Sequence, residues 1–225
     1  MPPSKPVILI DVDNTLLDND TLRLHIYRGL EAALGVEDAR RFWAVYERIR
    51  AEDGAVDVPR TAAVLAAELA RPEVEARIGA VLDALPFVDC LYPQALKAVA
   101  HLGTLGTTVI LSDGEPRYQR HKIRASGIEA AVDGRVLVYV HKEREVDDIR
   151  SRFEAGRYAL LDDKPGILAT MKRSMGATLT TFLVHQGKYA DTPLAAGAPA
   201  PDVELASIVE ALRLTAADLE AAPAS

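Results

Sequence analysis

The chain has 225 residues, 49% of them hydrophobic, and a net charge of −7. That apolar share supports a substantial core and excludes global disorder, while the charge has the wrong sign for a protein that coats nucleic acid or an anionic membrane. No apolar run approaches the ~20 residues needed to span a bilayer, and the lone cysteine, Cys90, excludes an intrachain disulfide and points to a reduced, cytoplasmic setting.

In chain order, Val7 to Ile10 (VILI) is a short continuous apolar run, as expected for a parallel strand buried on both faces. Residues 20 to 91 change character. TLRLHIYRGLEAAL, EDARRFWAVYERIR, RTAAVLAAELA and EVEARIGAVLDAL all carry helical spacing, punctuated by Gly35, Gly54 with Pro59, and Pro72. Four helices and no strand are predicted there. From Pro93 onward helix and strand alternate: PQALKAVAHL, then TTVILS; PRYQRHKIRAS, then RVLVYV; EREVDDIRSRF, then YALLD; PGILATMKRSM, then TLTTFLV. Such alternation indicates a parallel sheet with helices on both faces. TPLAAGAPAP, from Thr192, reads as a linker or surface loop, and VELASIVEALRL as a last helix before a frayed tail.

Polar residues follow each strand. VILI leads to Asp11 and Asp13, TTVIL to Ser112, Asp113 and Gly114, RVLVYV to His141 and Lys142, and YALL to Asp162 and Asp163. Ligands of open parallel sheets bind beyond the carboxyl ends of the strands, so these groups converge on one edge. Lys142 lies 30 residues after Ser112, and Asp162 lies 20 after Lys142. Both steps suit one βα unit, since a full βαβ takes ~30 residues. Ser112 lies 101 residues after Asp11, and the surplus is the all-helical stretch, an insertion perched near the site as a cap.

The series DVDNT, LSDG, HK and LLDDK, each after a predicted strand, resembles the haloacid dehalogenase-like hydrolases in order and position, over essentially the whole chain. The resemblance implies a Rossmann-like α/β core (residues 1–16 and 91–214), a helical cap (17–90) and a flexible tail (215–225). It also implies an Mg²⁺-dependent phosphatase acting on a small phosphorylated metabolite. Asp11 would be the nucleophile that forms an aspartyl-phosphate, and Asp13 the general acid and base. Ser112, with backbone N–H groups near Asp113 and Gly114, would bind phosphate oxygens. Lys142 would neutralise both phosphate and Asp11. The metal would be held by the Asp11 carboxylate, the Asp13 carbonyl and an acid of LLDDK, with Asp163 aligning best and Asp162 in support. Asp13 points to phosphoryl transfer, because the dehalogenases of the family, whose leaving halide needs no proton, lack it. Asn14 replaces the glycine most common there, and Ile167 stands where a further acid is often found.

Other readings bound this one. A phosphomutase or phosphonate hydrolase would keep the fold, but residues 20–90 contain no lysine for the imine that a phosphonate hydrolase of this kind uses. A phospho-acceptor receiver module lacks a helical insertion of this size, and a non-catalytic phospho-ligand-binding member would not need the intact Asp11, Asp13, Ser112 and Lys142. Asp18, Asn19 and Asp20 read as helix-start punctuation. The basic run RYQRHKIR reads as a solvated face, Phe42, Trp43 and Tyr46 as cap core, and Cys90 as buried filler. Arg23, His25 and Arg28 are unranked candidates for cap contacts with substrate.

Overall fold

The computed structural model describes residues 5–53 and 57–219. Its centre is a six-stranded sheet in the order β3-β2-β1-β4-β5-β6. The strands are β1 (Val7–Ile10), β2 (Thr107–Asp113), β3 (Val136–Tyr139), β4 (Tyr158–Asp162), β5 (Leu179–Val184) and β6 (Val203–Leu205). All neighbouring pairs are parallel. Successive side chains on a strand point to opposite faces, and both faces are covered. Val7 and Leu9 join one apolar cluster, Ile8 and Ile10 the other. That two-sided burial is why VILI is apolar throughout rather than alternating.

The cap follows β1 directly. Helices α1 (Asn19–Leu34), α2 (Val36–Asp53), α3 (Val58–Glu68) and α4 (Glu73–Asp83) pack each on the next, and α1 closes the ring against α4. Asp18 caps α1, accepting from the backbone N–H groups of Asp20 and Thr21, and Asp57 caps α3 through Arg60. The apolar stripes of all four helices join the cluster on one sheet face through Val12, Leu16 and Leu17, each fully buried. The two chain crossings between cap and core run side by side. Leu17 bridges Leu91, the Asp18 N–H donates to the Cys90 carbonyl (2.8 Å), and the Tyr92 N–H donates to Leu16 (2.9 Å).

The remaining helices flank the sheet: α5 (Ala95–Leu105), α6 (Pro116–Ala125), α7 (Ile128–Ala131), α8 (Val146–Arg152), α9 (Pro165–Met175) and α10 (Ala216–Leu219). Among the described residues, no helix is long and apolar enough to cross a membrane.

Two expectations at the C-terminus are corrected. The segment expected as a last helix opens instead as β6, paired with Phe182 to Val184, and continues as a 3₁₀ turn over Ile208–Arg213. Val203, Glu204 and Leu205 also fit a period of two, and pairing with an unfilled sheet edge outweighs their helix propensity. The flexible tail expected from residue 215 is partly ordered. Leu219 of α10 is fully buried, and its carbonyl accepts from the Thr180 hydroxyl (3.0 Å). Residues 220–225 of that tail lie outside the described residues.

Candidate active site

Strand register sets the site. Ile10 lies beside Ile110 on one side and Leu161 on the other. Asp11, Ser112 and Asp162 therefore emerge at the same end of the three central strands. Each of Asp11, Asp162 and Asp163 offers a carboxylate oxygen, all within 4.8 Å of one another and all buried. Three like charges so close are unfavourable unless compensated.

Lys142 supplies one compensation. Its ammonium, fully buried, lies 2.5 Å from Asp11 Oδ1 and 2.7 Å from Asp162 Oδ2, and donates to the Leu111 carbonyl at 3.2 Å. Of these three contacts, those to Asp11 and Leu111 are hydrogen bonds, while Asp162 Oδ2 is held by charge alone. Burial pulls its pKa down, but the charges of Asp11, Asp162 and Asp113 outweigh burial and hold Lys142 protonated, well above the ordinary lysine value. Lys142 thus neutralises the acid cluster from behind the cavity wall.

Burial pushes the Asp11 carboxyl up to about 6, with Lys142 opposing it and Asp162 adding to it. The Thr15 hydroxyl donates to Asp11 Oδ2 at 3.3 Å. Asp162 is tied down on its other oxygen, which accepts from the Lys164 N–H (2.8 Å). Asp163 differs: neither carboxylate oxygen receives a hydrogen bond from any described residue. Burial, then the charges of Asp11 and Asp162, push its carboxyl up to about 8, and the nearby Lys164 ammonium and Asn14 amide only partly offset this.

Asp13 turns away from that cluster toward α6. Lys122 Nζ lies 2.5 Å from Asp13 Oδ1, and Gln119 Nε2 donates to Oδ2 at 2.7 Å. Burial alone would raise the Asp13 carboxyl, but the Lys122 charge and these hydrogen bonds overcome it and hold Asp13 below the ordinary carboxylate range. Gln119 Nε2 also donates to the Asp113 carbonyl (2.5 Å) and approaches Ser112 Oγ (3.4 Å). Gly114 makes room for this side chain: at φ +132°, a Cβ there would sit 2.8 Å from Gln119 Cγ. Asp113 accepts from the Lys142 N–H (2.9 Å). The Gly114 N–H, expected to face phosphate, instead donates to the Tyr139 carbonyl (2.8 Å). Asn14 adopts the left-handed backbone (φ +61°) that its type tolerates, and the loop after β5 closes over it. A Cβ on Gly187 would lie 2.4 Å from Asn14 Cγ.

Above these residues, between core and cap, lies a cavity of about 400 Å³. Asp13, Asn14, Asp113 and Gly114 form part of its wall on the core side, with Lys164 and Lys122, and the cap contributes Trp43 and Tyr46. Asp11, Ser112 and Lys142 are buried behind the wall. Phe42 is fully buried cap core as expected, whereas Trp43 and Tyr46 pack on it only partly and line the cavity. Of the cap candidates, Arg23 lines this cavity, while His25 and Arg28 line a separate concavity between α1 and α4. Cys90 is buried, and burial raises its thiol, as suits a filler.

Three site residues escape the sequence reading. Lys122 and Gln119 sit in the run read as a solvated face. Arg117, Arg120 and Arg124 are exposed there, but the helix turns the intervening positions inward. The available signal was α6 itself, whose positions 119 and 122 share one face at a spacing of three. Lys164 closes LLDDK and pairs with Asp113 at 3.6 Å. Burial lowers its pKa, yet Asp11, Asp162 and Asp113 together hold it above the ordinary value.

No family model and no curated protein matches the sequence. Solved structures do. A protein from Burkholderia xenovorans LB400 described as a haloacid dehalogenase-like hydrolase is 37% identical, over 97% of this chain and 100% of that one, with a TM-score of 0.88. The L-2-haloacid dehalogenase of Xanthobacter autotrophicus, solved with chloropropionic acid covalently bound, is 16% identical over 93% and 97% of the two chains, at a TM-score of 0.62. Bacillus subtilis YfnB, described as a HAD-hydrolase bound to magnesium, is 14% identical over 92% and 96%, at a TM-score of 0.64. The last two show the fold alone. The first, with its identity and full-length coverage, makes the chain a member of the haloacid dehalogenase-like hydrolases.

Proposed function

We propose that the protein is a divalent-cation-dependent phosphatase that hydrolyses a small phosphomonoester through a phosphorylated Asp11. The observation that carries this reading is Asp163, a buried carboxylate with no hydrogen-bond donor on either oxygen, beside Asp11 and Asp162. Buried polar groups are almost always satisfied, and an all-oxygen acid set is the chemistry of Mg²⁺ sites. Asp11 and Asp163 would hold the ion, with the Asp13 carbonyl. Asp162, already engaged by Lys142 and the Lys164 N–H, supports them. The bound ion would supply electrostatic masking of an anionic phosphate facing an anionic nucleophile.

In the first half-reaction an Asp11 carboxylate oxygen attacks phosphorus, the bond from phosphorus to the ester oxygen breaks, and the departing oxygen takes the proton that Asp13 carries at this stage, which leaves Asp13 as the carboxylate. Lys142 holds Asp11 in place, and Thr15 fixes its second oxygen. In the second half-reaction Asp13 takes a proton from water as the water oxygen attacks phosphorus. The bond from phosphorus to Asp11 then breaks and inorganic phosphate leaves. With Lys122 and Gln119 on its oxygens, Asp13 is held as the carboxylate that this second step needs. Lys164, one third exposed on the cavity wall, is the cation best placed to meet a phosphate oxygen. Because Asp11 lies behind the wall, substrate access would require the cap to shift on its paired crossings, and YfnB shows interdomain movement.

The reading is tested by phosphate release from a panel of phosphorylated metabolites with Mg²⁺, using Asp11→Asn as control and chloride release from 2-chloropropionate as the competing assay. Phosphate release that chelator and Asp11→Asn both abolish is expected. Chloride release without any phosphatase activity would replace this reading with dehalogenation.

A further inference from the structure

Resting on the phosphatase reading, we propose that the cap half of the cavity is a subsite for an aromatic ring on the alcohol portion of the substrate. Trp43 and Tyr46 of α2 and Tyr118 of α6 all line the cavity. The Trp43 and Tyr46 rings meet edge to face at 5.1 Å and 68°, rather than pairing flat, and both line the cavity. The Arg23 guanidinium lies 4.5 Å over the Trp43 ring. Leu22 and Ile26 complete an apolar wall.

Two buried donors in this lining, Trp43 Nε1 and Tyr118 Oη, have no partner among the described residues. Neither atom is exposed to the cavity, so the ring surfaces rather than these donors are what the lining offers a ligand. The two cap arginines on the cavity, Arg23 and Arg50, share Glu47 at 3.3 and 3.1 Å. The cavity volume, about 400 Å³, is near the lower end for small-molecule sites, roughly 300–1,000 Å³, and suits a compact ring-bearing ester.

Trp43 is the only tryptophan in the chain, so its fluorescence reports on the subsite without any turnover. Two measurements on the full chain test the proposal. The first compares kcat/KM for 2-phenylethyl, 2-cyclohexylethyl and n-butyl phosphate, whose leaving alkoxides are alike. The phenyl ester is expected to exceed the cyclohexyl ester by about tenfold, mainly through KM, and Trp43→Leu to bring that ratio close to one. The second titrates wild-type protein with 3-phenylpropylphosphonate and its cyclohexyl counterpart. The aromatic ligand alone is expected to shift Trp43 emission saturably.

Turnover of all three esters without aromatic preference, together with equal or absent fluorescence responses, would overturn the subsite and leave the phosphatase reading standing. A selective fluorescence response with no ester hydrolysed would support the subsite and overturn the phosphatase reading. Neither response nor turnover would overturn both.

Discussion

The core side and the cap side of the cavity hold their functional groups in different ways. On the core side, Asp11, Ser112, Lys142, Asp162 and Asp163 stand at strand ends, and sheet register places them. On the cap side, Trp43 and Tyr46 ride on α2, and their direction depends on how four helices pack and where that bundle sits on the sheet. The first arrangement brings charges together at fixed spacing, which electrostatics makes costly and chemistry makes useful. The second presents apolar and aromatic surface whose exact fit can vary without disturbing the charge cluster. A cluster set by register should respond steeply to single changes, and a wall set by helix packing should respond by degrees.

The steepest response is expected at Asp11. Asp11→Asn removes the proposed nucleophile while keeping shape, and phosphate release should fall by about a thousandfold or more. The variant should fold, since amide and carboxyl are nearly isosteric and the change removes one charge from a crowded cluster. Comparable turnover in this variant would break the comparison at its base.

Lys142→Met should follow, this time in stability. Lys142 is the buried cation between Asp11 and Asp162, and removing one partner of a buried ion pair costs about 3–5 kcal/mol. Urea unfolding with and without Mg²⁺ measures this, and added cation should restore part of the loss. A change below about 1 kcal/mol in cation-free buffer would mean that water reaches the cluster.

The third expectation concerns protons. In cation-free protein the Asp11 and Asp163 carboxyls are raised from 3.8 to about 6 and about 8. The folded state then holds protons that the unfolded chain releases, so this contribution to stability is fully present below about pH 4 and lost as pH rises through 6 and 8. A divalent cation must displace those protons. Saturating Mg²⁺ should therefore raise Tm by on the order of 5 °C at pH 8 and by far less at pH 5. Equal shifts at both pH values would contradict the assignment of the ion to this cluster.

The same contrast explains what the sequence made legible. The acids after VILI and YALL and the lysine after RVLVYV were readable because a parallel strand ends on a defined side of the sheet and spacing sets its neighbours. Lys122 and Gln119 were not, because α6 exposes Arg117, Arg120 and Arg124 while turning Gln119 and Lys122 onto Asp13, and a run of basic residues carries no mark of which ones face inward. Trp43 and Tyr46 pack against the cap core as read, and for a related reason their second role as cavity lining was not legible. A helical stripe of aromatics looks the same whether it meets other helices or a cavity, and only Phe42 of the three is wholly enclosed. At the C-terminus, Val203 to Leu205 satisfied both periods over three residues, and the vacant edge of β5 decided between them.

The smallest expected effect lies in the stretch that also holds Asp11. Asp18 Oδ1 accepts from the N–H groups of Asp20 (2.9 Å) and Thr21 (3.0 Å), and Oδ2 accepts from the Thr21 hydroxyl (2.7 Å). It anchors α1 at the point where the chain crosses into the cap, and it has no contact with the acid cluster. Asp18→Ala should cost about 1 kcal/mol, and Asp18→Asn much less, because an amide oxygen caps a helix nearly as well as a carboxylate does. Turnover should stay near the wild-type level in both variants. The pair Asp11→Asn and Asp18→Asn therefore puts one chemical change at two acids seven positions apart. At the strand end the lost charge should remove catalysis, and at the helix start it should scarcely register. If Asp18→Asn also lowered kcat severalfold with stability intact, the crossing would contribute to chemistry as well as to folding, and cap and core would not be separable in function.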